Sequence, residues 1–131
     1  MAIKTSIVAR NAELDALAPL FNSGYLRIYT GAPPATPETA PSGVLLAELR
    51  FNATAFGAAA NGVIVANAIT SDASADATGT AGWCRSLKSD GTTALIDGDV
   101  STSGAFLNMN SVAIQQGASV AVTSYSITDP T

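Results

Sequence analysis

The sequence predicts a mainly β fold: an antiparallel β-sandwich, jelly-roll or Ig-like, of about seven or eight strands with one short N-terminal helix. Three observations carry this. After Gly24, short runs of aliphatic and aromatic residues recur between turn residues at sandwich-like intervals. Asp90-Gly91 separates two such runs and marks a tight hairpin. In Val120–Ile127 the large apolar residues move from even to odd positions after Val122, a phase slip that signals a β-bulge or a strand changing sheets. The 131 residues read as one domain, 1–131, with 1–23 as an N-terminal arm plus helix.

The elements follow in order. Ile3, Ile7 and Val8 form a small apolar arm, to be docked on the chain itself or on a neighbour. Leu14, Leu17 and Phe21 stand at helical spacing, with Asn11 as the expected N-cap, Glu13 and Asp15 in the first turn, and Asn22-Ser23-Gly24 as the stop. Tyr25–Tyr29 is the first strand. Residues 32–43 hold four of the six prolines (Pro33, Pro34, Pro37 and Pro41), which forbid a regular ladder and favour extended polyproline-like backbone. This long connector is either a stiff crossover between two sheets or a contact element. Further strands are expected at Val44–Phe51, Val63–Asn67, Gly82–Lys88, Thr93–Val100, Phe106–Asn110 and Val120–Ile127, with residues 70–80 as a polar loop or edge. A two-residue primed turn at Asp90-Gly91 would set Leu87 opposite Ala94 and leave Arg85 diagonal to Asp97.

Composition narrows the function. There is no histidine, the usual neutral-pH acid, base and metal ligand, and 52 of 131 residues are Ala, Ser or Thr. The net charge is −4, and the six basic residues are scattered, so the chain is expected to bind no nucleic acid. No apolar window approaches the roughly 18 residues of a membrane span, and no export signal is visible. The single cysteine, Cys84, cannot form an internal disulfide and reads as a buried small hydrophobe.

Candidate chemistry is thin. Asp72 and Asp76 in a polar loop, with Asp90, Asp97 and Asp99 in the following hairpin, could hold calcium, but they match no calcium-loop spacing and each is also a good turn former. Asp97 and Asp99 share a strand face as a glycosidase pair would, without the aromatic platform such a site needs. No Ser-x-x-Lys motif or phosphate loop is present. The expectation is therefore no enzyme, no catalytic residue, no cofactor, no metal and no small-molecule substrate. A surface of small side chains loses little entropy on being ordered, which suits extensive contact with neighbours.

Several stretches resemble a family of small virion structural proteins of tailed bacteriophages. These are Arg10–Leu17, Tyr25–Gly31, Asn67–Ala81, Ser89–Thr93 and Val120–Thr128, in order along nearly the whole chain. The resemblance implies a head decoration (cement) protein, made in the host bacterial cytoplasm and located in the virion. Its partners would be the major capsid protein and copies of itself, with adjacent capsid subunits clamped by added interface area. A tail, neck or fibre component is the alternative in the same setting, and a carbohydrate- or calcium-binding β module the alternative outside it. The residues expected to touch partners are Ile3, Ile7, Val8, Pro33, Pro34, Pro37 and Pro41. Extended segments of this kind can pair at sheet edges; otherwise both groups simply close the core.

Overall fold

A computed structural model describes residues 3–129; the expected domain span 1–131 therefore includes residues 1, 2, 130 and 131, which lie outside the described residues. The helix α1 is Ile7–Leu17, followed by a 3₁₀ turn at Ala18–Phe21. The strands are β1 (Tyr25–Thr30), β2 (Leu45–Arg50), β3 (Val63–Val65), β4 (Gly79–Leu87), β5 (Ala94–Ser101), β6 (Leu107–Met109), β7 (Ala113–Ile114) and β8 (Val122–Thr128). They form one eight-stranded sheet in the order β2-β1-β4-β5-β6-β8-β3, with β7 beside β4, curled into a half-barrel.

The sheet is mixed, which corrects the expectation of purely antiparallel strands. β5 and β6 run parallel through Val100↔Leu107 and Ser101↔Asn108. Parallel neighbours normally need a long crossover. Here the ladder is two pairs long, and local bonds fold the intervening loop tightly. The Asp99 carboxylate accepts from Phe106 N, the Asn108 amide bonds both N and O of Ala105, and Gly104 turns the chain at φ +72°.

The helix is capped five residues before the expected Asn11. Ser6 is the N-cap, its hydroxyl accepting from Ala9 N at 3.2 Å, so no acid falls in the first turn. Asn11 is instead a tether: its Oδ1 accepts from Gly62 N at 2.9 Å. Asp15 Oδ1 accepts from Ala59 N, and Arg10 Nε donates to the Asp129 carbonyl, so three side chains fasten α1 to the body. Pro19 enters the 3₁₀ turn near its start, where a missing N–H costs nothing. Leu14, Ala18 and Phe21 bury the inner face.

The β4–β5 hairpin lies where expected, but its loop is four residues, 89–92. Lys88 N donates to the Thr93 carbonyl, Gly91 N donates to the Lys88 carbonyl, and only Gly91 has positive φ (+72°). A primed turn needs both central residues there. Asp90 removes that need by accepting from Thr92 N and Thr93 N with Oδ1 and from the Thr93 hydroxyl with Oδ2. A register shift beside Ser86 places Arg85 directly opposite Asp97 rather than diagonal to it, while Leu87 faces Ala94 as expected. The phase slip in β8 is a bulge: Met109 pairs with Val122 and Asn108 with Ser124, leaving Thr123 unopposed.

The core joins the two flanks of the sheet. Phe51, just after β2, meets Tyr125 of β8 edge to face at 5.3 Å, and Phe21, Phe56 and Phe106 complete the aromatic cluster. The Tyr125 hydroxyl lies 2.6 Å from the Ser86 hydroxyl, which satisfies both buried groups. Both ends of the strand path are covered by irregular chain. Thr70 and Asp76 bond the backbone of β2, and Gly57 and Ala60 bond that of β3. Neither outer strand offers the open edge at which an extended segment would add.

Candidate functional site

Side chains alternate along β1 and β4, so each strand presents one row to the core and one outward. Leu26 and Ile28 of β1 and Cys84 and Ser86 of β4 point inward and are buried. The outer row carries Tyr25, Arg27 and Tyr29 of β1 opposite Leu87, Arg85 and Trp83 of β4. Glu48 of β2 stands across from Arg27, and Asp97 and Asp99 of β5 across from Arg85 and Trp83. An outer face of a small half-barrel would ordinarily meet water. This one is covered: Trp83, Tyr29, Arg85 and Leu87 are all buried.

The cover is the proline-rich connector. β1 and β2 pair directly, so residues 31–44 are not a crossover between sheets but a long hairpin loop lying back over the outer face. Its neck is closed by Thr30 N on the Val44 carbonyl, Val44 N on Thr30 Oγ1, and the Ser42 hydroxyl on the Ala32 carbonyl. Its middle is fixed by Arg85 Nη1, which donates to the Thr39 carbonyl at 2.8 Å. The same guanidinium makes a bidentate pair with Asp97, Nε to Oδ1 at 2.7 Å and Nη2 to Oδ2 at 2.9 Å, with side-chain exposures of 5% and 8%. These bonds hold Arg85 protonated even more firmly than usual.

On the same face, the Tyr29 and Trp83 rings stack at 4.7 Å and 16°, and the Arg85 guanidinium lies 5.3 Å from the Trp83 ring. Trp83 Nε1 is buried with no hydrogen-bond partner among the described residues, a cost of roughly 1–3 kcal/mol. An open cleft of about 690 Å³ runs between the loop and the hairpin tip. Arg27, Arg85 and Leu87 form its floor, and Pro37, Pro41 and Thr92 its walls.

The acids weighed as ligands or catalysts are each engaged separately or exposed. Asp72 accepts from Glu48 N and Ser74 N, Asp97 is held by Arg85, Asp99 accepts from Phe106 N, and Asp76 is exposed. No group of three or more acid or thiol side chains converges on a metal-sized site among the described residues. Cys84 is buried in β4, and desolvation pushes its thiol up to about 12; burial likewise raises the Tyr125 phenol. Neither group is an available nucleophile or base at neutral pH.

The residues expected to touch partners fall in two places. Ile3 precedes α1, and Ile7 and Val8 occupy its first turn; their exposures are 76%, 51% and 80%. The arm does not dock on its own chain. Pro33 and Pro41 are exposed, and Pro34 and Pro37 are half-buried in the loop. Sequence reading missed the covered outer face with Tyr29, Trp83 and Arg85. One available signal was the alternation in Tyr25–Tyr29 and Trp83–Leu87, which gives both faces of the same strands bulky residues. The chain matches no protein-family model, no curated protein and no solved structure.

Proposed function

We propose that the protein is a non-enzymatic structural component of a tailed-phage virion, a capsid decoration protein that clamps neighbouring major capsid subunits. The observation that carries this reading is the exposed apolar group Ile3, Ile7 and Val8 on a helix anchored by Arg10, Asn11 and Asp15. A fastened helix holds these side chains outward in a fixed geometry, and covering them removes apolar area from water at about 25 cal/mol per Å². The sequence resemblance supplies the partner: the outer surface of a capsid shell. Covered sheet edges direct contacts to faces and loops, and the acids, engaged singly or exposed, support a non-enzymatic role.

The meeting of Phe51 and Tyr125 across the half-barrel supports describing it as a sandwich of the jelly-roll or Ig-like kind, with β2-β1-β4-β5 facing β6-β8-β3. The test of function is co-sedimentation of purified protein with capsid shells of the encoding phage. The Ile7→Asp/Val8→Asp variant should lose binding while keeping its fold, and Thr102→Asp, in an exposed turn, should bind normally. Saturable binding to tails but not shells would replace decoration by a tail, neck or fibre role.

A further inference from the structure

We infer that Asn61 is the site at which this chain undergoes spontaneous deamidation, and that the docking of α1 sets how fast it does so. Asn61-Gly62 is the sole asparagine–glycine pair in the sequence. A following glycine hinders such a reaction least, since no side chain crowds its nitrogen and its backbone turns freely. The pair forms the two-residue primed turn before β3. Ala60 N donates to the Val63 carbonyl, Val63 N donates to the Ala60 carbonyl, and both central residues have positive φ, +53° and +73°. Asn61 is exposed, so water reaches its amide, whereas Gly62 is buried and held on three sides. Its N–H donates to Asn11 Oδ1 at 2.9 Å, its carbonyl accepts from Asp129 N at 2.9 Å, and the Arg10 guanidinium packs against its Cα. Two of these three contacts come from α1.

The reaction has a definite course. The Gly62 nitrogen, giving up its proton to water, bonds to Asn61 Cγ; the Cγ–Nδ2 bond breaks and ammonia leaves, closing a five-membered succinimide. Water then adds to one of the two ring carbonyls. Opening at Cγ leaves aspartate, and opening at the main-chain carbonyl leaves isoaspartate, whose backbone runs through Cβ and Cγ. To begin, Gly62 N must turn from Asn11 towards the side chain of Asn61, which requires the turn to open and α1 to let go. The rate in the folded chain is then that of the free segment multiplied by the fraction of time this local opening is populated. The two Asp-Gly pairs, which could cyclise by loss of water, are held back by their own bonds: Asp90 accepts from Thr92 and Thr93, and Asp97 pairs with Arg85. An isoaspartate lengthens the turn by one backbone atom, which a two-residue primed turn does not accommodate. It thereby loosens the seat of the helix that carries Ile7 and Val8. The inference does not rest on the virion reading, because its chemistry belongs to the chain alone.

The test incubates purified protein at neutral pH and physiological temperature beside a synthetic peptide of residues 57–66. Conversion at every asparagine is followed by peptide mapping with mass spectrometry. Asn61 should convert first, and more slowly in the protein than in the peptide by roughly ten-fold or more. Asn11→Ala removes the acceptor of Gly62 N and should speed conversion roughly two- to ten-fold, the factor that corresponds to one ordinary hydrogen bond. Asn11→Asp retains an acceptor and should stay near the native rate. No conversion at Asn61, faster conversion at another asparagine, or equal rates in protein and peptide would each overturn the inference. So would a folded Asn11→Ala protein that converts no faster than its parent. Should that variant not fold, amide exchange in the unaltered chain decides instead. The Gly62 N–H should be protected to a degree that matches the slowing at Asn61, and exchange as fast as in the peptide would refute the account.

Discussion

Replacing Asp97 by Asn should be among the most damaging single changes in this chain. Arg85 and Asp97 have side-chain exposures of 5% and 8% and are joined by two short bonds, so the amide would leave a guanidinium buried without its counter-charge. Breaking one side of such a pair costs about 3–5 kcal/mol. With an unfolding entropy of about 2.1 cal/mol/K per residue, the melting temperature should fall by roughly 10–18 °C. Replacing both partners by apolar residues, Arg85→Met with Asp97→Leu, removes the orphaned charge and should recover most of the loss. Thermal and urea unfolding followed by circular dichroism measure all four corners of the cycle. A loss below about 1 kcal/mol for Asp97→Asn would put the pair in the class of solvent-exposed ion pairs. The covered outer face would then be wrong.

Three further outcomes follow from named groups. Asp90, held well below the usual carboxylate range by Thr93 and Thr92, contributes stability that is present above its ordinary pKa and lost as pH falls towards the depressed value; Asp90→Asn should flatten that part of an acid titration of stability. Cys84 should be silent to a thiol reagent in the native state and react fully on unfolding. Because its pKa is raised to about 12, the associated stability is complete below pH 9 and falls above it by at most about 1.4 kcal/mol per pH unit; Cys84→Ala should remove this slope between pH 9 and 10, leaving above pH 10 the contribution of the raised Tyr125 phenol. Gly82→Ala would place its Cβ against the Gly31 carbonyl, where backbone must move, and should cost about 1–3 kcal/mol or more in urea unfolding.

What the sequence disclosed was mostly local. The runs Tyr25–Tyr29, Val44–Phe51 and Phe106–Asn110 carry period-two or apolar signals that survive in the fold, and the slip after Val122 became the bulge at Thr123. Asn11 was misleading because a good cap residue is equally a good tether, and only the approach of Gly62 shows which role it takes. Asp90-Gly91 located the hairpin but not its loop length, since the Asp90 carboxylate stabilises a wider turn by bonds that spacing does not specify. The parallel β5–β6 pair depends on a tight loop held by side-chain bonds, and the seating of the proline loop on Arg85 depends on contacts between distant parts of the chain. In particular, nothing near Thr39 announces that its carbonyl will meet Arg85.

The arm and the proline segment show the same limit from the other side. Both were legible as unusual, and their fates differ for a physical reason. Residues 31–44 lie between two directly paired strands and can fold back on the outer face. Ile7 and Val8 fall outside the tethered face of α1, so they have no surface of their own chain to cover.

The most direct measurement of the proposed virion role is cryo-electron microscopy of the phage particles to which the proposal assigns the chain. The decoration account predicts density for this fold in a regular array over the capsid, with Ile3, Ile7 and Val8 against the shell. Density confined to the tail or the portal vertex, or no density on the particle, would contradict it.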